Sequence, residues 1–266
     1  MFRFIRNWLD RRIIRRSDVT PAQWEAAFAS LPLLRGLDAD EKRRLRELAI
    51  LFCHRKRFEG AHGLVVTRPM ALIIALQACL PVLNLGLEGY EGWVAVIIYP
   101  SGFAPRHVVR DEYGVEHFVQ VDLSGESWQS GPVVLAWDDV EQAGIIDSYN
   151  LVIHEFAHKL DMQNGDANGF PPLHPGMDAA TWTGVFSAGF EDLQQRCNRG
   201  IDIGIDCYAA TSPAEFFAVA SEVFFERPGL LWQHYARVYD QLRQYYRQDP
   251  MIRLGHREQV RYDPIC

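Results

Sequence analysis

Tyr149-Asn-Leu-Val-Ile-His-Glu-Phe-Ala-His-Lys-Leu-Asp-Met162 sets two histidines and a glutamate into a largely apolar run. Leu151, Val152, Ile153, Phe156, Ala157, Leu160 and Met162 cover most of its circumference, so the spacing predicts a helix over about 149–163 buried nearly all round. His154 and His158 stand four apart on one face of that helix, roughly 6 Å from each other, where both can bind one ion. Glu155 lies about 100° round the helix from His154, placed to reach a water on that ion rather than the ion itself. Zinc lowers the pKa of coordinated water to about 7, and a neighbouring carboxylate can then take the proton as a carbonyl is attacked. The alternative is a pair of core histidines satisfied by other partners, because three polar side chains in such a helix are costly without them.

A catalytic zinc site has a third protein ligand and leaves one position open. The candidate lies downstream, in Tyr208-Ala-Ala-Thr-Ser-Pro-Ala-Glu215-Phe-Phe-Ala-Val-Ala-Ser-Glu222. Ser212-Pro213 predicts a helix start, and Phe216, Phe217, Val219, Ala220, Val223 and Phe224 require burial over about 213–226. Glu215 is embedded in that apolar start. It reads as the third ligand; the alternative is that Ser212-x-x-Glu215, which has the spacing of a capping box, ties the carboxylate to a backbone N–H. Glu222, two turns on and on the same face, is a candidate to accept a hydrogen bond from a ligand imidazole, or to be the ligand itself if the register differs. Asp161 is a second candidate for orienting a histidine.

Outward from this region the chain reads as α+β. Upstream, Trp93 to Tyr99 is β-rich and suits a buried strand, Phe103 to Val109 and His117 to Leu123 flank the turn-prone Asp111-Glu-Tyr-Gly114, and Val133 to Asp138 follows Gly131-Pro132. The first third is helical: Thr20-Pro21 caps a helix bearing Trp24, Ala27, Phe28 and Leu31, Asp38 with Glu41 opens a second, and Arg68-Pro69 precedes a third. Further helices are expected over about 178–198 and 228–247. Strands followed by helices imply a helical N-terminal subdomain over 1–89 and a mixed α+β unit over 90–266.

Composition narrows the class. Hydrophobic residues make up 48% and charged residues 23%, the profile of a globular protein with its own core. A net charge of −7 gives no basic field for direct nucleic-acid binding. The longest apolar stretch, Met70 to Leu87, contains Pro81 and Asn84, so no transmembrane segment is expected. Five scattered cysteines without a Cys-x-x-Cys pair argue against a disulfide scaffold or thiolate zinc site and suit a reducing, cytoplasmic compartment. The N-terminal Met1 to Arg16 lacks the features of a signal peptide. It is a basic amphipathic segment, read either as a helix docked on its own domain or as an attachment to a membrane surface or acidic partner. The Asn164 to Gly169 loop has calcium-like oxygen donors but not the spacing of an EF-hand, and reads as a helix C-cap and turn.

His-Glu-Phe-Ala-His-Lys-Leu-Asp-Met-x-Asn-Gly-Asp-Ala-Asn-Gly, from His154 to Gly169, with Glu-Phe-Phe-Ala at 215–218, closely resembles the Mlc titration factor A family of bacterial zinc peptidases. Their catalytic region is similar to that of anthrax lethal factor. The resemblance implies a zincin-like core and one zinc ion per chain, held by His154, His158 and Glu215 with Glu155 as general base. It also implies that the hydroxyl of Tyr208, seven residues before Glu215 as in lethal factor, hydrogen-bonds the developing oxyanion. A departure is Val219, which stands four after Glu215 where thermolysin-type enzymes carry a histidine-orienting aspartate. The family further implies aminopeptidase-type activity on small peptides and binding to the glucose repressor Mlc. Two functions are thus expected, a peptidase whose substrate lies extended along an edge strand around Val133–Asp138, and a regulatory protein that sequesters a transcriptional repressor.

Overall fold

The computed structural model describes residues 2–101, 106–110, 116–120, 125–127, 131–142 and 146–255. Four helices dominate the first third: α1 (Phe2–Arg15), α2 (Pro21–Ala29), α3 (Ala39–Arg55) and α4 (Arg68–Cys79). Their starts obey local chemistry. Asp38 accepts from the Glu41 amide at 2.8 Å while Glu41 accepts from the Asp38 amide at 2.9 Å, and Thr20 with Gln23 makes the same reciprocal box at α2.

The strands are β1 (Arg57–Gly60), β2 (Ala95–Tyr99), β3 (Arg106–Arg110), β4 (Glu116–Gln120), β5 (Gly125–Ser127) and β6 (Val133–Ala136). Four of them form one mixed sheet in the order β1-β2-β6-β5, with β1–β2 and β2–β6 parallel and β5–β6 antiparallel. β3 and β4 pair separately as an antiparallel ribbon. The turn expected at 111–114 lies outside the described residues.

Two expectations are corrected here. Val133 to Asp138 is not one strand, because Trp137 and Asp138 already open the short helix α5 (Trp137–Gln142). Nor is β6 an edge, since β2 and β5 occupy its two sides. The outer strand on that side is β5, too short and polar (Gly-Glu-Ser) to stand out by periodicity. β1, equally short, was not anticipated either. It carries residues 57–60 of the helical third into register with β2, from Arg57 opposite Ala95 to Gly60 opposite Ile98, across the boundary expected near residue 90.

The remaining helices are α6 (Leu151–Asp161), α7 (Ala179–Asn198), α8 (Pro213–Glu226), α9 (Pro228–Tyr246) and α10 (Pro250–Arg253). The fold is α+β: a small mixed sheet with helices packed around one continuous hydrophobic core. α6 is buried along its whole length. Its Phe156 packs edge-on to Phe52 and Tyr90 and at a tilt to Trp93, with ring centroids 5.5, 5.0 and 5.7 Å away, so residues from α3 and the 87–93 segment hold the inner face of the histidine helix. A side chain of that size, fully enclosed, stabilises the fold by about 2–3 kcal/mol. On the other side α8 inserts Phe216 and Phe217 against Phe186, and Phe217 against Trp182.

Cys197, near the end of α7, is disulfide-bonded to Cys207. The pattern of five scattered cysteines did not suggest this bond. The partners are ten residues apart and meet only because the chain doubles back after α7. Cys53 and Cys79 are free. No helix among the described residues is long and apolar enough to cross a membrane.

Candidate metal centre

Asn150 starts α6 by capping it, its Oδ1 accepting from the Ile153 amide at 3.0 Å. One turn later His154 and His158 point from the same face of α6, with their Nε2 atoms 3.1 Å apart. Glu215 comes from the first turn of α8, and its Oε2 lies 3.0 Å from His154 Nε2 and 3.3 Å from His158 Nε2. Ser212 caps α8 by accepting from the Glu215 amide at 3.2 Å, but the Glu215 carboxylate does not return to the cap. The Glu215 side chain therefore faces the histidines and does not complete a capping box.

These three atoms form a triangle with sides of 3.0–3.3 Å. Tetrahedral ligands about 2.0–2.1 Å from a zinc ion are separated by about 3.3 Å, so the triangle has the size that a divalent ion needs. The proton count calls for positive charge between these atoms, supplied by a proton or by a metal. His154 Nδ1 lies 2.8 Å from Glu222 Oε1; with its proton there, a neutral imidazole turns the Nε2 lone pair towards Glu215 and His158, whereas an imidazolium donates from both nitrogens. A lone pair and a carboxylate oxygen converging at 3.0 Å repel unless a proton or a metal lies between them. The donor set of two imidazoles and one carboxylate thus fits a divalent metal.

Glu222 is fixed in turn. Its Oε2 accepts from the Asn150 amide, Asn150 Nδ2 donates to Gln77 Oε1 at 2.8 Å and to Glu226 Oε1 at 3.0 Å, and Glu226 Oε2 accepts from the Ser148 amide at 3.2 Å. All four side chains are buried. Sequence reasoning had Glu222 as a candidate and missed Asn150, Gln77 and Glu226. The signal was there in Gln77 and Glu226, polar residues inside apolar helices that would be costly to bury alone. Asp161, the other orienting candidate, instead uses one oxygen to accept from the amides of Asn168 and Gly169 at 2.8 and 2.7 Å. It makes no hydrogen bond to either histidine among the described residues. The same loop places Asn168 Oδ1 on the Phe170 amide and Asn164 Nδ2 on the Phe170 carbonyl, so the oxygen-rich 164–169 segment uses its polar groups as a turn.

Glu155 is only 3% exposed, and one of its oxygens has no hydrogen-bond partner among the described residues. Burial pushes its pKa up to about 7, against the pull of the two histidines. Glu215 is moved the other way: burial would raise it, but the contacts with His154 and His158 prevail and hold it at about 2. Tyr208 sits on a short 3-10 turn, Cys207–Ala210, with its ring centroid 6.1 Å from that of His154 and 47% of its surface exposed. Burial and the nearby carboxylates of Glu215 and Glu155 push its phenol up to about 12, so the hydroxyl keeps its proton. The disulfide at Cys207 ties this turn to the end of α7.

Similarity to known proteins agrees with this chemistry. The sequence profile of the glucose-regulated metallo-peptidase M90 family matches residues 5–247. The Mlc titration factor A of Serratia proteamaculans is 42% identical over 238 residues, covering 88% of this chain and 90% of its own. That of Cronobacter sakazakii is 40% identical over 246 residues, covering 90% and 91%, and that of Yersinia pestis 41% identical over 236 residues, covering 88% and 87%.

Proposed function

The chain belongs to the glucose-regulated metallo-peptidase M90 family, and on that premise we propose that it hydrolyses peptides with one zinc ion held by His154, His158 and Glu215. The observation that carries this reading is the 3.0–3.3 Å triangle of Nε2, Nε2 and Oε2 atoms, beside the buried carboxylate of Glu155. When bound, the ion supplies the positive charge that polarises a peptide carbonyl and makes water acidic. Glu155 is the general base: its buried carboxylate, next to the ligand histidine in the chain, takes a proton from the attacking water and passes it to the leaving amine. Tyr208, still protonated, donates a hydrogen bond to the carbonyl oxygen as negative charge builds on it. Glu222 fixes the His154 ring through Nδ1.

The substrate is a small extended peptide, and cleavage is of the aminopeptidase type. Its backbone pairs with the outer edge of β5, which replaces the 133–138 segment expected from sequence, since β6 is enclosed on both sides. Pairing through main-chain groups fixes direction without demanding particular side chains.

A second reading is supported by the relatives' name, Mlc titration factor A: this chain also sequesters a transcriptional repressor of the Mlc type. The two activities are separable. Glu155→Gln keeps the shape of the side chain and removes the base, so hydrolysis of a peptide substrate should fall by at least about 100-fold, while metal content and repressor binding persist. Hydrolysis at the wild-type rate in that variant would refute the assignment of the base.

A further inference from the structure

The outward face of α1 has no role in the metal site or in the core. Arg6 pairs with Glu88 and Glu91, Asp10 pairs with Arg55 at 2.5 Å, and Ile13 and Ile14 pack against the body of the protein. These residues hold one side of the helix down. The opposite side presents Ile5, Trp8 and Leu9, which remain 48%, 50% and 45% exposed, interleaved with the exposed Arg11, Arg12, Arg15 and Arg16. Arg12 lies over the Trp8 ring at 5.7 Å. None of these four arginines makes an ion pair among the described residues. Three bulky apolar side chains and four free guanidinium groups therefore share one surface from which the only acid of the helix, Asp10, is turned away. Beside it, a groove of about 610 Å³ runs between α1, α3 and α4, with Leu9, Ile13, Ile50 and Leu72 on its walls along with Arg12 and Arg16.

The charge balance sharpens the contrast. The first sixteen residues carry six arginines and one aspartate, a net +5, whereas residues 17–266 carry −12 of the chain's −7 total. An anionic surface repels the acidic body as a whole, so a helix of net +5 biases how the protein would approach. At fourteen residues α1 is about 21 Å long, too short to cross a bilayer core of about 30 Å and suited to lying in its surface.

We propose that α1 is an interfacial anchor, which docks the protein on anionic phospholipid membranes through Ile5, Trp8 and Leu9 in the headgroup layer and Arg11, Arg12, Arg15 and Arg16 on lipid phosphates. Tryptophan settles at the boundary between headgroups and acyl chains. Arginine stems cover apolar surface while their charged ends reach the phosphates. An acidic protein would satisfy the guanidinium groups, but a face that combines them with three separated apolar side chains matches the layered chemistry of a lipid surface more closely.

The test is cosedimentation of the full chain with vesicles of phosphatidylcholine alone, or of phosphatidylcholine with about a third phosphatidylglycerol. Binding is expected to the mixed vesicles only and to weaken with added salt. Each arginine changed to glutamine should lower the partition coefficient about fivefold, so the combination of Arg11→Gln, Arg12→Gln, Arg15→Gln and Arg16→Gln should abolish detectable binding. Trp8→Ala should weaken it at every salt concentration. Thermal melts check that the variants fold, and the single Arg11→Gln and Arg15→Gln changes give the graded effect if the fourfold variant does not. Absence of binding, equal binding to neutral vesicles, or binding unaffected by the arginine changes overturns the proposal. So does lipid-free self-association lost in the same variants, which would assign the face to a second copy of the chain.

Discussion

At the scale of single residues, the site depends on where protons sit. His154 can offer Nε2 to a metal only while Nδ1 donates to Glu222, a contact of 2.8 Å. Glu222→Gln keeps the size of the side chain, but its amide can rotate to present N–H instead of oxygen, and it loses the negative charge that makes the imidazole a better donor. We expect metal affinity to fall about 10–100-fold, measured by competition with a chromogenic chelator, with little change in the fold. Affinity equal to the wild type would show that the ring is oriented by packing alone. The histidines and Glu155 were legible in sequence because their spacing matches the period of a helix. The Glu222 contact was only half legible: its face on α8 could be read, but the helix crossing that brings it to His154 could not.

At the scale of elements, α6 and α8 must hold their relative position to within a few tenths of an ångström. The 164–169 loop does part of this. Gly169, at φ +78°, lies so close to the start of α8 that an added Cβ would stand 2.5 Å from the Pro213 carbonyl oxygen, two residues before Glu215. Its own carbonyl accepts from Trp182 Nε1 at 3.0 Å. Gly169→Ala should cost about 1–3 kcal/mol and also weaken metal retention, because relief of the clash moves Glu215. Gly176→Ala is the control, since it is strained at φ +97° but meets nothing within 4 Å. Its melting temperature should drop with metal retention unchanged. If both variants retain metal equally, the loop does not position α8. The sequence showed this loop as a turn through its Asn, Gly and Asp content. It could not show which backbone the turn would touch, because that approach joins segments more than forty residues apart.

At the scale of the molecule, a connected set of buried acids makes stability depend on pH. Glu226 is 1% exposed, and burial, with a smaller contribution from Glu222, raises its pKa from 4.5 to about 8 against the pull of Asn150. The folded state therefore holds this proton more tightly than the unfolded chain. The stability contributed by this group is fully present below about pH 4.5 and is lost as pH rises towards 8, by an amount on the order of a few kcal/mol. Glu226→Gln mimics the protonated form, so urea unfolding should show a smaller loss of stability between pH 5 and pH 8.5 than in the wild type. Identical pH profiles would mean that Glu226 is ionised in the native protein throughout. At this scale the helices announced themselves through caps and periodicity, α8 over 213–226 most clearly. The sheet was half legible: β2 and β6 lie within expected strands, whereas β1 and β5 have three or four residues each and are strands only by virtue of their neighbours.

The central claim is that His154, His158 and Glu215 hold one divalent ion. Its most direct test is elemental analysis of the purified protein beside Glu215→Ala. The account predicts close to one zinc per chain in the wild type and a large loss in the variant, with both chains folded by circular dichroism. Full zinc content in folded Glu215→Ala, or none in a wild type supplied with zinc, would contradict it.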